Sequence, residues 1–322
     1  MTFPNSTGIH RPTARWATAG LLTLMLGVGN SAWAASEPLV DVDWIKKNSC
    51  ADNVRVLDIR NELDGGSRTD YLRGHIPCAV YTDYLKGGWR AEDKNKVPGQ
   101  LAPTDKLETL IGSLGIDNDT HVVIVPAGKN ALDMGSAARM YWTFKVLGHD
   151  EVSILDGGLA AYTKDEKNPL AKGSEQPEPR TFKADVREEM LVDKEDVQAA
   201  VEAGTLLVDN RPHDQYIGIN RHPKAARKGT IPGAENLPEN WLTDNNGGSF
   251  RDVETLRKLY ALAEVPTEGA QINFCNTGHW AALGWFASHE LLGNEDAKVY
   301  DGSMVEWSND AGTPMEQQVT LQ

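Results

Sequence analysis

Apolar positions along the chain fall into short runs that alternate with stretches where they recur every three or four residues. "VRVLD" (54–58), "HVVIV" (121–125), "LLVD" (206–209) and "INF" (272–274) read as strands. Residues 104–116 carry Leu107, Leu110, Ile111 and Leu114 at helical spacing, with Thr104 as N-cap and Gly115 as stop. Residues 253–263 repeat the plan with Leu256, Leu259, Tyr260 and Ala263. Residues 281–292 do so with Leu283, Phe286 and the Leu291/Leu292 pair, and Gly293 stops them. Strands that are apolar nearly throughout suit a parallel sheet covered on both faces. Their alternation with helices predicts an α/β fold.

The pattern occurs twice. An apolar strand ending in Asp-x-Arg closes at Asp58/Arg60 and again at Asp209/Arg211. "GHIPCAV" (74–80) matches "GTIPGAE" (229–235), "HVVIVPAG" (121–128) matches "QINFCNTG" (271–278), and "SILDGGLAAY" (153–162) matches "KVYDGSMVEW" (298–307). Four signals in the same order predict a duplicated domain, over residues 37–162 and 181–309. Between them, residues 163–180 are polar, contain three prolines and lack an apolar period, so they read as a linker.

The copies differ where chemistry is expected. In "QINFCNTGHWAALGW" (271–285) a strand ends in Cys275, and a short polar loop leads into a helix. Ligands of open α/β sheets sit beyond the carboxyl ends of the strands. A thiolate there is favoured by a helix N-terminus and by inward-pointing amides, and Gly278 lets the loop turn. Two readings stay open on local pattern: a nucleophile, or a small buried residue at a strand end. Cys275 and His279 have no second ligand pair nearby, which disfavours a zinc site. The loop has no arginine to grip a phosphate dianion, which disfavours a phosphatase.

Composition adds compartment and partners. His10, Arg11 and Arg15 precede an apolar run from Trp16 to Val28, followed by "SAWA". Residues 1–34 therefore read as a signal peptide, too short an apolar run for a membrane span of about 20 residues. Its removal would take the net charge from −14 to −14 − 2 = −16, since Arg11 and Arg15 leave with no acid. Such a chain lacks the basic footprint of a nucleic-acid binder. A periplasmic or secreted location, with no membrane segment after cleavage, is expected. In an oxidising compartment Cys50 and Cys78 pair and leave Cys275 as the odd thiol, or all three remain free and buried.

Taken together, these motifs resemble the tandem-domain rhodanese-like sulfurtransferases, a resemblance that spans nearly all of the chain beyond residue 34. It is carried by Asp58-x-Arg60 with Gly74-His75-Ile76-Pro77, by Asp209-x-Arg211 with Gly229-Thr230-Ile231-Pro232-Gly233-Ala234, and by residues 136–162. It implies two domains, each a central, mostly parallel sheet flanked by helices. It also implies that Cys275 takes a sulfane sulfur from a small anionic donor, such as thiosulfate, mercaptopyruvate or polysulfide. The persulfide then passes sulfur to a thiol, cyanide or protein acceptor, and no cofactor is implied. The first copy, with Pro126 and Ala127 in place of the cysteine, would be silent. Candidate substrate-binding residues are Arg211, Asn276, Thr277, Gly278, His279 and Trp280.

The loop departs from both familiar forms of the family, being neither basic nor Gly-Ser-Gly, and Gln215 stands where an arginine is expected. Arg211 either meets substrate or braces the fold. His279 either moves protons and binds anions or faces solvent, and Trp280 either walls the pocket or packs on the neighbouring domain. Arg221, Lys224, Arg227 and Lys228, in the insertion 220–228, offer either an anion-attracting patch or a solvated loop. The alternative function is a persulfide carrier that serves a partner without turnover on small donors.

Overall fold

The computed structural model describes residues 36–319; the leader expected over 1–34 lies outside them. The first copy runs β1 (Leu39–Val40), α1 (Val42–Asn48), β2 (Val54–Asp58), α2 (Arg68–Arg73), β3 (Val80–Tyr81), β4 (Arg90–Ala91), β5 (Gln100–Leu101), α3 (Thr104–Ser113), β6 (His121–Val125), α4 (Ala131–Val146), β7 (Val152–Leu155) and α5 (Gly158–Thr163). The second runs β8 (Leu191–Val192), α6 (Lys194–Ala203), β9 (Leu206–Asp209), α7 (His213–Tyr216), β10 (Glu235–Asn236), α8 (Val253–Leu262), β11 (Gln271–Phe274), α9 (His279–Trp285), β12 (Ala297–Tyr300) and α10 (Ser303–Asn309).

Each copy folds around a five-stranded parallel sheet. The orders β1-β7-β6-β2-β3 and β8-β12-β11-β9-β10 are the same order, strand for strand. The central strands β6 and β11 are buried over most of their length, as their continuous apolar composition demands. Strands β4 and β5 form a separate antiparallel pair on an arm of the first copy.

Several local details differ from the sequence reading. Pro103, not Thr104, occupies the cap position of α3 and makes no side-chain cap bond. Thr104 is instead the first helical residue. Helix α9 starts at His279 rather than Ala281, and its continuation over Phe286–Leu291 is a π-helical turn. His279 and Trp280 therefore belong to the first helical turn, and the loop proper shrinks to residues 275–278.

The Asp-x-Arg motif explains itself in both copies. Arg211 is 1% exposed and forks onto Asp209 at 2.5–3.1 Å, while its Nη2 donates to the Gly229 carbonyl at 2.8 Å. Arg60 repeats the arrangement with Asp58 and the Gly74 carbonyl. A buried bidentate pair ties the strand end to the turn that follows. Arg211 thus braces the fold through its Nε and Nη2, one of the two roles open to it.

Cys50 and Cys78 are joined as a disulfide, with Cα atoms 5.3 Å apart. Cys78 has φ +64°, and Gly233, its counterpart, has φ +76°. Such a conformation suits glycine and costs other residues about 1 kcal/mol or more.

The copies also share a core. Helix α4 of the first lies against α9 of the second, where Tyr141 meets Phe286 edge-on at 4.8 Å and its hydroxyl donates to Glu290 at 2.8 Å.

Candidate active site

Cys275 follows β11 directly and is 1% exposed. Strand register places Pro126 at the same point of the first copy, because Asp58 pairs with Val125 as Asp209 pairs with Phe274. The carbonyl of Pro126 accepts from Leu159 just as that of Cys275 accepts from Met304. Pro126 alone, rather than Pro126 and Ala127 jointly, therefore replaces the cysteine.

The loop is pinned from below by Ser303. Its hydroxyl accepts from the Cys275 amide at 3.0 Å and the Gly278 amide at 3.2 Å, and donates to the Tyr300 carbonyl at 2.8 Å. Ser303 has φ +49°; Gly158, its counterpart in the first copy, has φ +54°. The second copy thus accepts a strained serine where the first uses glycine, and gains two hydrogen bonds to the loop. With those two amides turned onto Ser303, the amides of Asn276, Thr277, His279 and Trp280 have no acceptor among the described residues. Gly278, at φ +73°, makes the turn that leaves them free.

The positive charge missing from the loop comes from the other copy. Arg90 donates to the Thr277 carbonyl at 2.6 Å and to the Tyr84 hydroxyl at 3.1 Å. Arg139 donates to the Gly278 carbonyl at 3.3 Å and is held by Asp301 at 2.5 and 2.8 Å. Asp301 in turn accepts from the Leu101 amide at 2.7 Å. Burial would lower Arg139, but the Asp301 carboxylate outweighs it, and with Tyr84 and Cys275 adding, the guanidinium is held above its ordinary range. Tyr84 is pushed up by burial, against the pull of Arg90 and Arg139.

His279 is built into this clamp. Its Nε2 lies 2.7 Å from the Leu132 carbonyl, which only accepts, so Nε2 carries the proton and Nδ1 accepts from the Tyr84 hydroxyl at 2.9 Å. Burial, with Arg90 and Arg139 adding to it, pushes the imidazole down to about 3. The expectation that His279 binds anions or shuttles protons near neutrality is corrected, as is its solvent-facing alternative: the ring is buried, neutral and doubly engaged. Trp280 is half-buried against the shared core. Asn276 donates to Gln215 on α7 at 3.0 Å.

Of the insertion, Arg227 is spent on carbonyls of Trp307, Ser308, Asp310 and Thr313, and Arg221 on the Ala225 carbonyl. They brace the loop rather than form an anion-attracting patch. Lys224 is exposed, and with Arg90, Glu92, His222 and Thr277 it lines a cavity of about 340 Å³.

Sequence reasoning missed Tyr84, Arg90, Arg139 and Ser303. Two of them left a signal. Arg139 stands in the middle of a helix whose other charges, Asp133 and Lys145, lie in its end turns, and a charge buried there needs a partner. Ser303 breaks the match between "DGG" and "DGS".

A family model, the rhodanese-like domain, matches residues 41–165 and 193–310. A putative thiosulfate sulfurtransferase of Haloferax volcanii is 30% identical over 293 residues, covering 88% of this chain and 97% of its own. The thiosulfate sulfurtransferase of Bos taurus is 33% identical over 282 residues, covering 84% and 91%. Among solved structures, SseA of Escherichia coli, a 3-mercaptopyruvate sulfurtransferase, superposes with a TM-score of 0.72 at 27% identity, over 83% of this chain and 99% of its own. This chain, with two copies of the domain, belongs to the rhodanese family and is a sulfurtransferase.

Proposed function

We propose that the protein is an exported sulfurtransferase that works through a Cys275 persulfide. The observation that carries this reading is the pairing of Cys275 with four free amides beneath two guanidinium-bound carbonyls. Amides so placed stabilise an anion, and each guanidinium polarises the peptide group whose oxygen it holds. The Cys275 thiolate attacks the sulfane sulfur of an anionic donor. With thiosulfate, the S–S bond of the donor breaks, its electron pair leaves with sulfite, and the persulfide anion stays in the cradle. An acceptor thiolate then attacks the outer sulfur and the Cys275 thiolate is regenerated, giving ping-pong kinetics. The donor enters past Lys224 and Arg90.

The test is a panel of thiosulfate, mercaptopyruvate and polysulfide, with intact-mass detection. The expected result is the mass of one added sulfur atom, removed by dithiothreitol and absent from Cys275→Ser. Failure of every donor to load Cys275, or transfer surviving in Cys275→Ser, refutes the reading.

The 1% exposure of Cys275 favours a second reading, a carrier that shields its persulfide from small thiols. Rapid discharge of the loaded protein to cyanide or cysteine removes that reading. Export is supported by the leader pattern of residues 1–34 and by the disulfide, which persists in oxidising compartments. Recovery of the mature chain in the periplasm or medium, starting at Ala35, is the expected outcome.

A further inference from the structure

The two copies leave equivalent grooves in different states. In the first copy, the groove between α2, β3 and the end of α3 carries the linker. Ala171 bridges to His75, and the Gly173 amide donates to the Leu72 carbonyl at 3.0 Å. The Glu175 amide then donates to the Tyr71 hydroxyl at 3.1 Å, and the Arg180 amide to the Gly112 carbonyl at 2.9 Å. Linker residues Ser174–Pro177 line the space that remains, about 340 Å³.

The second copy begins the same way. Glu316 bridges to Thr230, and the Val319 amide donates to the Ile217 carbonyl at 3.0 Å. Tyr216 repeats Tyr71, donating to Ala234 as Tyr71 does to Ala79, both at 2.9 Å. Beyond that point no described residue of the tail lines the groove, which keeps about 680 Å³. At its rim Leu262 is 69% exposed; its counterpart in the first copy is Ser113. The floor is apolar and aromatic, with Tyr216 and Trp241. Its charged groups are Glu235 and Glu264, and no lysine or arginine lines it among the described residues. Burial raises Glu235, with Glu264 and Glu316 adding to it, so the carboxylates crowd one another without a counter-charge.

We propose that the groove between α7, β10 and the end of α8 docks an extended, basic segment of a partner protein, along the path that the linker takes in the first copy. The charge argues against a second copy of this chain, whose net charge is −14. A segment there reaches the reaction centre through one side chain, since Gln215 on α7 holds Asn276. The inference stands independently of sulfur transfer, because peptide binding and sulfur loading are read separately.

The experiment titrates the full chain with two synthetic peptides, followed by Trp fluorescence and peptide anisotropy. One has the sequence of residues 172–181; the other has the same sequence with Glu175→Lys and Glu178→Lys. The expected result is saturable binding of the basic peptide, at least about fivefold tighter than the native one, and a similar weakening in Glu264→Gln and Leu262→Ser. A photo-crosslinker at position 262 should join the peptide. Absence of binding by both peptides, equal binding of the two, indifference to both substitutions, or a crosslink to the chain's own residues 320–322 would overturn the proposal.

Discussion

Ser303 concentrates much of the chemistry of the site in one side chain. Its hydroxyl holds two loop amides away from the anion position while its backbone stays left-handed. Ser303→Ala loses the bonds and keeps the strained backbone, whereas Ser303→Gly loses the bonds and relieves the strain. Both variants should lower kcat/KM about a hundredfold, because the loop is no longer fixed to within the tolerance that catalysis demands. Ser303→Ala should be less stable than Ser303→Gly by about 1 kcal/mol, read by urea unfolding. Equal stabilities would show that the left-handed backbone costs nothing. Arg90 tests the charge supply in the same way. Arg90→Met should slow sulfur loading while leaving Cys275 alkylable in the unfolded chain. Arg90→Lys should restore less than half of the rate, because a point charge cannot serve the Thr277 carbonyl, the Tyr84 hydroxyl and the Gly99 carbonyl at once.

Among the elements, strands and helices were legible because their apolar spacing is regular. β2, β6, β9 and β11 lie within or on the runs that predicted them, and α3 and α8 carry the predicted apolar face. The start of α9 was misplaced by two residues because His279 and Trp280 look like loop, and only the fold shows that His279 is neutralised by burial. Turn conformation was equally hidden. Nothing in "GHIPCAV" reports that Cys78 takes a glycine conformation, although alignment with "GTIPGAE" supplies the hint in hindsight. The disulfide closes a separation of 28 residues, which in the chain-entropy account stabilises by about 3.6 kcal/mol. Cys50→Ala with Cys78→Gly should lose less stability than Cys50→Ala with Cys78→Ala, by about 1 kcal/mol, since glycine accepts φ +64°. Urea midpoints of the two double variants decide it.

At the scale of the whole molecule, the site belongs to both copies, and that part was the least legible. Tyr84, Arg90, Leu132 and Arg139 come from the copy that lacks the cysteine, and no local pattern could assign them to partners 139 to 195 residues away. The same clamp makes stability depend on pH. His279 is depressed to about 3 from an ordinary 6.5, so between those values the unfolded chain binds a proton that the folded chain refuses. Stability is therefore retained above about pH 6.5 and falls as the pH drops toward 3. His279 contributes about 2 kcal/mol of the loss by pH 5. His121, His149 and His222, each lowered first by burial, act in the same direction. Urea unfolding at pH 7.5 and pH 5 should show a smaller loss in His279→Gln than in the parent; an equal loss would mean that His279 is not the group refusing the proton.

The interlocking of the copies also decides how the protein can be divided. Arg90 and Arg139 reach from one half to carbonyls of the other, and Tyr141 reaches to Glu290. If the gene were cut within the linker, the half bearing Cys275 would hold the nucleophile and its Ser303 anchor but neither guanidinium. The other half would hold the guanidiniums and nothing to activate. Each piece should be inert by itself, and activity should return when the two are produced together, with a dose response that reports their association. The molecule is in that sense a single enzyme assembled from a pair, joined by a tether that holds together what the interface already selects.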